Sequence, residues 1–154
     1  MNFPICRGGK LITAIIGNSL ASSDHLDLSQ SLLSAVGQVV RLEDENQMDA
    51  VTAVSGSGPA YVFHLVETLA AAGVEQGLPS ELSMQLAKAT VAGAGALAET
   101  AIEGPDQLRV NVTSPGGTTQ AALEILMSEN KGFPALISSA VTAAAERSRE
   151  LANG

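Results

Sequence analysis

Tryptophan is absent from this sequence, and only one tyrosine and three phenylalanines occur among its 154 residues. Alanine and leucine must therefore fill the core, and such side chains favour closely packed helices. Charged residues are also few, at 16% against 45% apolar residues, which is not the composition of a disordered chain. The length suggests one domain that buries a core of its own.

Cysteine and basic residues are scarce as well. The single cysteine, Cys6, excludes an internal disulfide framework and a cysteine-rich metal site, and it fits a reducing compartment. Lys and Arg together number 8 against 16 Asp and Glu, which gives a net charge of −8. Because the basic residues are spread singly, the chain offers no basic face to nucleic acid. We therefore expect a cytoplasmic protein without a nucleic-acid partner.

No apolar run is long enough to cross a membrane. Residues 89–98 are uncharged, but a bilayer span takes about 20 apolar residues. The apolar run LITAIIG near the N-terminus is too short for a signal peptide and predicts a strand instead. The two histidines, His25 and His64, lie far apart and lack a His-Glu-x-x-His frame, so we predict no metal site.

The first third of the chain shows a mixed pattern, and the remainder is helical. We predict a strand at Leu11–Ile16, a helix capped by Asp24 and ended by Gly37, and a second strand at Val39–Leu42. Gly77, followed by Pro79, ends one of the later helices. The helices predicted after residue 45 span residues 47–54, 60–76, 80–103, 106–111, 119–128 and 134–151.

One helical segment, ATVAGAGALA at residues 89–98, has small apolar residues on every face. A helix that is apolar all round is buried on all sides. Gly93 and Gly95 each cost the helix about 1 kcal/mol relative to Ala, so something must offset them. Close approach of another helix is the simplest offset. Since a domain this small has few helices to supply it, we infer that a second subunit buries the segment.

The stretch Ser55–Tyr61 begins like the glycine-rich fingerprint of dinucleotide-binding folds. However, the third glycine would fall at Tyr61, and the stretch follows a helical segment rather than a strand. The fingerprint requires a strand before it and a βαβ unit around it. We therefore interpret this stretch as a helix–helix corner.

The stretch VTSPGGTT at residues 112–119 interrupts the helical pattern. Gly116 and Gly117 can adopt positive φ and let a ligand approach the backbone, and Thr118 or Thr119 then starts a helix. The first N–H groups of a helix have no internal partner and, with the helix dipole, attract anions. No Lys or Arg lies in the loop, so it suits a small carboxylate better than a triphosphate. The alternative is a tight turn before a capped helix, without a ligand.

Four motifs resemble the C-terminal, dimer-forming domain of the pyrroline-5-carboxylate reductase family. The resemblance covers about two-thirds of the chain strongly and extends more weakly back to about residue 11. The motifs are MDAVTAVSGSGPAYVF (48–63), GLP (77–79), LRVNVTSPGGTTQAALEIL (108–126) and GFPALISSAVTAAAERSREL (132–151).

The resemblance implies a fold, a reaction and a site. The fold is all-α, an intertwined dimerisation domain like the C-terminal domain of 6-phosphogluconate dehydrogenase, with a short N-terminal α/β remnant. The reaction is reduction of pyrroline-5-carboxylate to L-proline by NADPH or NADH. The substrate carboxylate would be held at Ser114, Gly116, Gly117 and Thr118, and Thr119 would assist protonation of the ring nitrogen. The partner would be a second copy, in a homodimer or a larger assembly of dimers.

The family carries its cofactor on an N-terminal Rossmann domain, which this sequence is expected to lack. Residues 1–45 would be a remnant of that domain and residues 46–154 the helical domain, with residues 1–10 matching poorly. No cofactor-binding residue is then expected, and this chain alone would bind none. An alternative is a catalytically inactive truncated homologue, acting as a dimerisation module or as a small-carboxylate binder.

Overall fold

The computed structural model describes residues 11–153, so Cys6 and the predictions for residues 1–10 lie outside the described residues. Two compact units are present. One contains the described residues up to Ser57 together with those from Val141 onward, and the other is Gly58–Ala140. The predicted domain boundary between residues 45 and 46 stays a prediction.

The first unit contains a pair of parallel strands, β1 (Leu11–Ile15) and β2 (Gly37–Arg41). Leu11 lies opposite Gly37 and Ile15 opposite Arg41. Helix α1 (Ser23–Leu33) connects them, because parallel strands require a crossover rather than a hairpin. Both strands form at the predicted positions, within two residues at each end.

The predicted cap of α1 is wrong. Ser22 caps the helix: its Oγ accepts the His25 N–H at 3.4 Å, while His25 Nδ1 accepts the Ser22 N–H at 3.2 Å. Asp24 lies inside the first turn, where its negative charge interacts favourably with the helix dipole and stabilises the helix. The predicted end at Gly37 is also wrong, because the helix ends at Leu33 and Gly37 begins β2.

A π-helical turn interrupts the next predicted helix. Helix α2 covers Gln47–Val51, and residues 52–56 form the wider π turn, whose bond runs from the Ser57 N–H to the Thr52 carbonyl at 2.8 Å. Asp49 of α2 also accepts a hydrogen bond from Ser148 Oγ at 2.5 Å. This bond joins the two stretches of chain that make up the first unit.

The second unit is built on two long consecutive helices that pack together, α3 (Gly58–Glu75) and α4 (Ser80–Thr100). Gly77 has φ +93°, its N–H bonds to the Val74 carbonyl at 2.9 Å, and the Leu78 N–H bonds to the Gly73 carbonyl at 3.1 Å. These two bonds form a Schellman motif, which requires a residue that tolerates positive φ. The predicted end of α3 at Gly77 is confirmed.

A buried polar contact holds α3 and α4 together. Ser83 Oγ donates to the Ala70 carbonyl at 2.6 Å, and both residues are buried. Gly73 leaves room for this hydroxyl, because a Cβ at residue 73 would collide with Ser83 Oγ. The helices therefore approach closely at this glycine.

The contact gives a stability prediction. Gly73→Ala should lower the free energy of unfolding by about 1–3 kcal/mol through overpacking, and Ser83→Ala by about 1 kcal/mol through loss of a hydrogen bond. The double variant should lose less than the sum, because removing Oγ clears the space for the new methyl group. Urea unfolding of the four proteins measures this coupling. Additivity within about 0.5 kcal/mol would contradict the packing described.

Three further helices follow α4: α5 (Pro105–Asn111), α6 (Thr118–Leu126) and α7 (Phe133–Asn153). The predicted fold class is confirmed, because the described residues are mainly helical and contain one short two-stranded parallel sheet. Within residues 11–153 no helix is both long and apolar enough to traverse a bilayer.

Few apolar side chains are buried by the chain itself. Among the described residues the buried apolar ones are all alanines, at positions 53, 70, 87 and 145, and no large side chain is fully enclosed. Residues 92–100 of α4 are exposed, with Leu97 at 50%. The burial predicted for the ATVAGAGALA segment is therefore not supplied by residues 11–153, and its burial by a second subunit stays a prediction.

Candidate functional site

The loop between α5 and α6 is a type II β-turn formed by Ser114–Gly117. The Gly117 N–H bonds to the Ser114 carbonyl at 3.0 Å, and Gly116 at the third position has φ +70°. Type II turns favour Pro at the second position and need a residue that tolerates positive φ at the third. Pro115 and Gly116 meet both requirements, which explains why the helical pattern breaks at this place.

The two glycines of the turn are required for different reasons. Nothing lies within 4 Å of a Cβ built on Gly116, so only its positive φ excludes most side chains. Gly117 has an ordinary φ of −83°, but a Cβ there would collide with Ser114 Oγ and lie 3.0 Å from the Ser114 carbonyl oxygen. The first glycine provides conformational freedom, and the second provides space.

Helix α6 begins directly after the turn, with Gly117 as its N-cap and no side chain capping it. The first bond inside the helix runs from the Ala121 N–H to the Gly117 carbonyl at 3.2 Å. The N–H groups of Thr118, Thr119 and Gln120 precede it and therefore point out of the helix end. Together with the dipole they can bind an anion.

The hydroxyl groups predicted to surround this site are placed along the same turn. Ser114 and Thr118 are exposed, and Thr119 is half-buried. A hydroxyl both donates and accepts hydrogen bonds, so Thr119 can contact a ligand atom and pass on a proton. The structure thus brings all five predicted residues into one turn and the first turn of α6. Their roles stay predictions.

Two side chains that sequence reasoning missed hold the turn from either side. Thr113 Oγ1 donates to the Arg109 carbonyl at the end of α5, at 2.6 Å. Gln120 Oε1 accepts the Gly116 N–H at 2.7 Å. A Gln in the third position of a helix is half of a capping-box signature, so the sequence carried a signal for this contact. Here the side chain reaches one residue beyond the N-cap.

The nearest basic residue does not serve the turn in this structure. Arg109 Nη1 donates to Met127 Sδ at 3.4 Å. An anion bound at this helix end would therefore meet backbone N–H groups and hydroxyls, which suits a single carboxylate. Within residues 11–153 no group of three or more His, Cys, Asp or Glu side chains is arranged to hold a metal ion.

A groove of about 580 Å³ lies elsewhere, in the first unit, and its lining includes no residue of the turn. The apolar side chains of Ile12, Val40 and Val54 contribute to it, together with Arg41 and Glu43. Sequence reasoning did not predict this groove.

Dinucleotide binding is not supported by the described residues. The β1–α1–β2 unit has the required order of elements, but the connection from β1 to α1 reads GNSLAS from Gly17 and contains one glycine instead of three. The glycine-rich stretch Ser55–Tyr61 begins in the π-helical turn instead of after a strand. The residues present therefore do not fit NADPH or NADH.

The fold of this chain is similar to that of solved pyrroline carboxylate reductases. A pyrroline-5-carboxylate reductase from Coxiella burnetii has a TM-score of 0.83 and 39% identity, covering 91% of this chain and 51% of that one. A pyrroline carboxylate reductase from Plasmodium falciparum, solved with NADP bound, has a TM-score of 0.74 and 33% identity, covering 89% and 52%. The fold of this chain is that of a domain of these reductases.

Sequence comparison narrows the class to a family. A family model described as pyrroline-5-carboxylate reductase dimerisation matches residues 45–151. The pyrroline-5-carboxylate reductase of Synechocystis sp. is 48% identical over 143 residues, which are 93% of this chain and 52% of that protein. This chain belongs to the pyrroline-5-carboxylate reductase dimerisation family, as the motifs predicted. It spans about half the length of the curated relatives it matches.

Proposed function

We propose that this chain is the substrate-binding and dimerisation part of a pyrroline-5-carboxylate reductase, which reduces 1-pyrroline-5-carboxylate to L-proline for proline biosynthesis. Family membership supports the reaction. The observation that carries the substrate site is the uncapped N-terminus of α6, with three outward N–H groups beside the Ser114–Gly117 turn. A ligand carboxylate at this point gains charge-assisted hydrogen bonds without a basic side chain.

Each site residue has a role in the proposal. Gly116 and Gly117 shape the turn, and Ser114 and Thr118 surround the carboxylate with hydroxyl groups. Thr119 is the catalytic residue, since its half-buried hydroxyl can donate a hydrogen bond to the ring nitrogen as the nitrogen gains a proton. The reductant, NADPH or NADH, is bound outside residues 11–153, because those residues do not fit a dinucleotide.

The proposal includes a homodimer in the cytoplasm. The exposed apolar face of α4 and the dimerisation family support self-association. The single cysteine in the sequence fits a reducing compartment. The exposed faces also favour the second candidate function, an inactive homologue that associates with itself or with a full-length relative. The two functions differ in ligand binding, because the second needs no intact carboxylate site.

Titration of the chain with L-proline, followed by ¹⁵N NMR, tests the carboxylate site. We expect shifts at the amides of residues 117–120, and Thr119→Ala should weaken binding by roughly two- to ten-fold through loss of one hydrogen bond. Thr119→Ser, which keeps the hydroxyl, is the matched control and should bind like the parent. If the parent shows no proline-dependent shift in these amides, the substrate site is not in this turn.

A turnover assay tests where the cofactor binds. The purified chain is incubated with NADPH and pyrroline-5-carboxylate, and we expect no oxidation of NADPH by the chain alone. Turnover that persists through purification and disappears in Thr119→Ala would show that residues of this chain hold the cofactor. It would also support the assignment of Thr119.

A further inference from the structure

We propose that Gln120 is a positioning residue, which locks the peptide between Pro115 and Gly116 in the orientation that the carboxylate site needs. This inference rests on the proposed function of the turn. Gln120 Oε1 accepts the Gly116 N–H at 2.7 Å, so a side chain of α6 reaches back across its own N-terminus to hold the third residue of the turn.

The turn needs such a lock because its sequence permits two conformations. Type I and type II turns differ mainly by a flip of the peptide between their second and third residues. Pro115 suits the second position of both types, and Gly116 can adopt either sign of φ. Ser-Pro-Gly-Gly by itself therefore favours the type II form but still permits the type I form. The observed φ of +70° at Gly116 identifies the type II form.

Gln120 distinguishes the two orientations through its amide oxygen. In the type II form the Gly116 N–H faces that oxygen. A flip would turn the N–H away and bring the Pro115 carbonyl toward it, which replaces a hydrogen bond by two opposed acceptors. The flipped form therefore loses a bond and gains a repulsion.

The orientation of the Gln120 amide is itself fixed. Its Nε2 donates to Glu124 Oε1 at 3.2 Å, one turn further along α6. A carboxylate can only accept hydrogen bonds, so the NH₂ end of the amide belongs at Glu124 and the oxygen at Gly116. Two consecutive hydrogen bonds, from Gln120 to Glu124 and from Gly116 to Gln120, thus connect the exposed face of α6 to the turn.

The lock matters for binding because the turn leads directly into the N-cap. A flipped peptide leaves the path of the chain into α6 nearly unchanged, but it reverses a peptide dipole beside the open N–H groups. If only one orientation is competent, the apparent dissociation constant equals the intrinsic value divided by the competent fraction. Gln120 keeps that fraction near one.

Gln120→Leu tests the lock with two independent readouts. In the unliganded chain, the Gly116 amide should exchange with solvent about ten-fold faster or more, because its acceptor is gone. In a titration with L-proline, the apparent affinity should fall by about three- to five-fold, as the competent fraction falls. Gln120→Glu keeps an acceptor oxygen, so it should retain protection of Gly116 while its negative charge weakens proline binding.

Gln107→Leu is the matched control. Gln107 is also an exposed glutamine, and its Nε2 donates to Asn111 Oδ1 at 2.8 Å on α5, away from the turn. Neither readout should change in this variant.

The outcomes separate the lock from the proposed function. Unchanged Gly116 exchange in Gln120→Leu overturns the inference, and so does faster exchange with unaltered proline binding. If the parent does not bind proline, the proposed function fails, while the exchange rate of Gly116 still decides whether Gln120 holds the turn.

Discussion

Gly117→Val should abolish measurable binding of L-proline at physiological concentrations. A Cβ at this position collides with Ser114 Oγ and lies 3.0 Å from the Ser114 carbonyl oxygen. The hydroxyl can rotate away, but the carbonyl oxygen accepts the bond that closes the turn. The carbonyl oxygen must therefore shift by a few tenths of an ångström, which weakens the closing bond and tilts the N–H groups at the start of α6 away from their common direction.

The expected loss is large because two effects add. Overpacking a tight site costs about 1–3 kcal/mol, and losing hydrogen bonds to a charged ligand costs about 1.5–3 kcal/mol. Together they correspond to a reduction in affinity of roughly 10²- to 10⁴-fold. Isothermal titration or NMR titration with L-proline measures the effect, and circular dichroism shows whether the variant remains folded.

The neighbouring glycine provides the control. At Gly116 there is space for a side chain, and only the positive φ restricts the residue type. Because Asn tolerates positive φ, Gly116→Asn should bind L-proline with an affinity within a few-fold of that of the parent. If Gly117→Val folds and binds proline as the parent does, the carboxylate is held elsewhere. Gly117→Ala, with one added methyl group, covers the case in which the Val variant does not fold.

Gly93→Leu should convert the self-associated form to monomers. In the chain itself a Cβ on Gly93 meets nothing within 4 Å, and residues 92–100 are exposed. The substitution is therefore sterically harmless to one copy and improves helix propensity by up to about 1 kcal/mol. If a second copy packs closely on this segment, the same side chain has no room.

The expected effect is doubled by symmetry. In a two-fold dimer each substitution occurs twice, so overpacking of about 1–3 kcal/mol per site becomes about 2–6 kcal/mol. The dissociation constant should rise between roughly 30-fold and 10⁴-fold. Sedimentation equilibrium across a concentration series measures it, and thermal unfolding at low concentration should show that the monomeric variant is not less stable than the parent monomer.

Two further variants decide how the result is interpreted. Gly93→Ala should weaken association less than Leu does, because it adds one carbon. Lys88→Leu, an exposed charged position on the same helix, adds an equal side chain outside the small-residue segment and should leave the dissociation constant nearly unchanged. Association unaffected by Gly93→Leu would place the interface elsewhere, and a parent that is monomeric at micromolar concentration would exclude the homodimer.

Much of the fold followed from local patterns. The ends of α3 and the turn at Ser114–Gly117 were predicted because Gly77, Pro115 and Gly116 act through their own backbone preferences. The φ preferences of Gly and Pro are intrinsic to these residues and do not depend on distant contacts, so they can be recognised from the sequence alone. The strands were predicted for the same reason, from short apolar runs next to turn residues.

The features that were not predicted depend on three-dimensional contacts and on backbone geometry that a single sequence does not reveal. Asp24 was an acceptable cap by composition, but Ser22 forms the bond because His25 stands three residues later and returns it. The π-helical turn at residues 52–56 leaves no mark in the apolar spacing. The contact of Gln120 was not predicted, although a Gln at the third position of a helix is a known signal for a bond to the preceding turn.

The hydrogen bond between Asp49 and Ser148 has a consequence for synthesis on the ribosome. The two residues are 99 positions apart, so at about 5–20 residues per second roughly 5 to 20 seconds separate their emergence. Gly58–Ala140 is one uninterrupted stretch and can fold as it is released, whereas the other unit must wait for residues after Val141. Of the two units, the one that contains the earlier of these residues is thus the later to be completed.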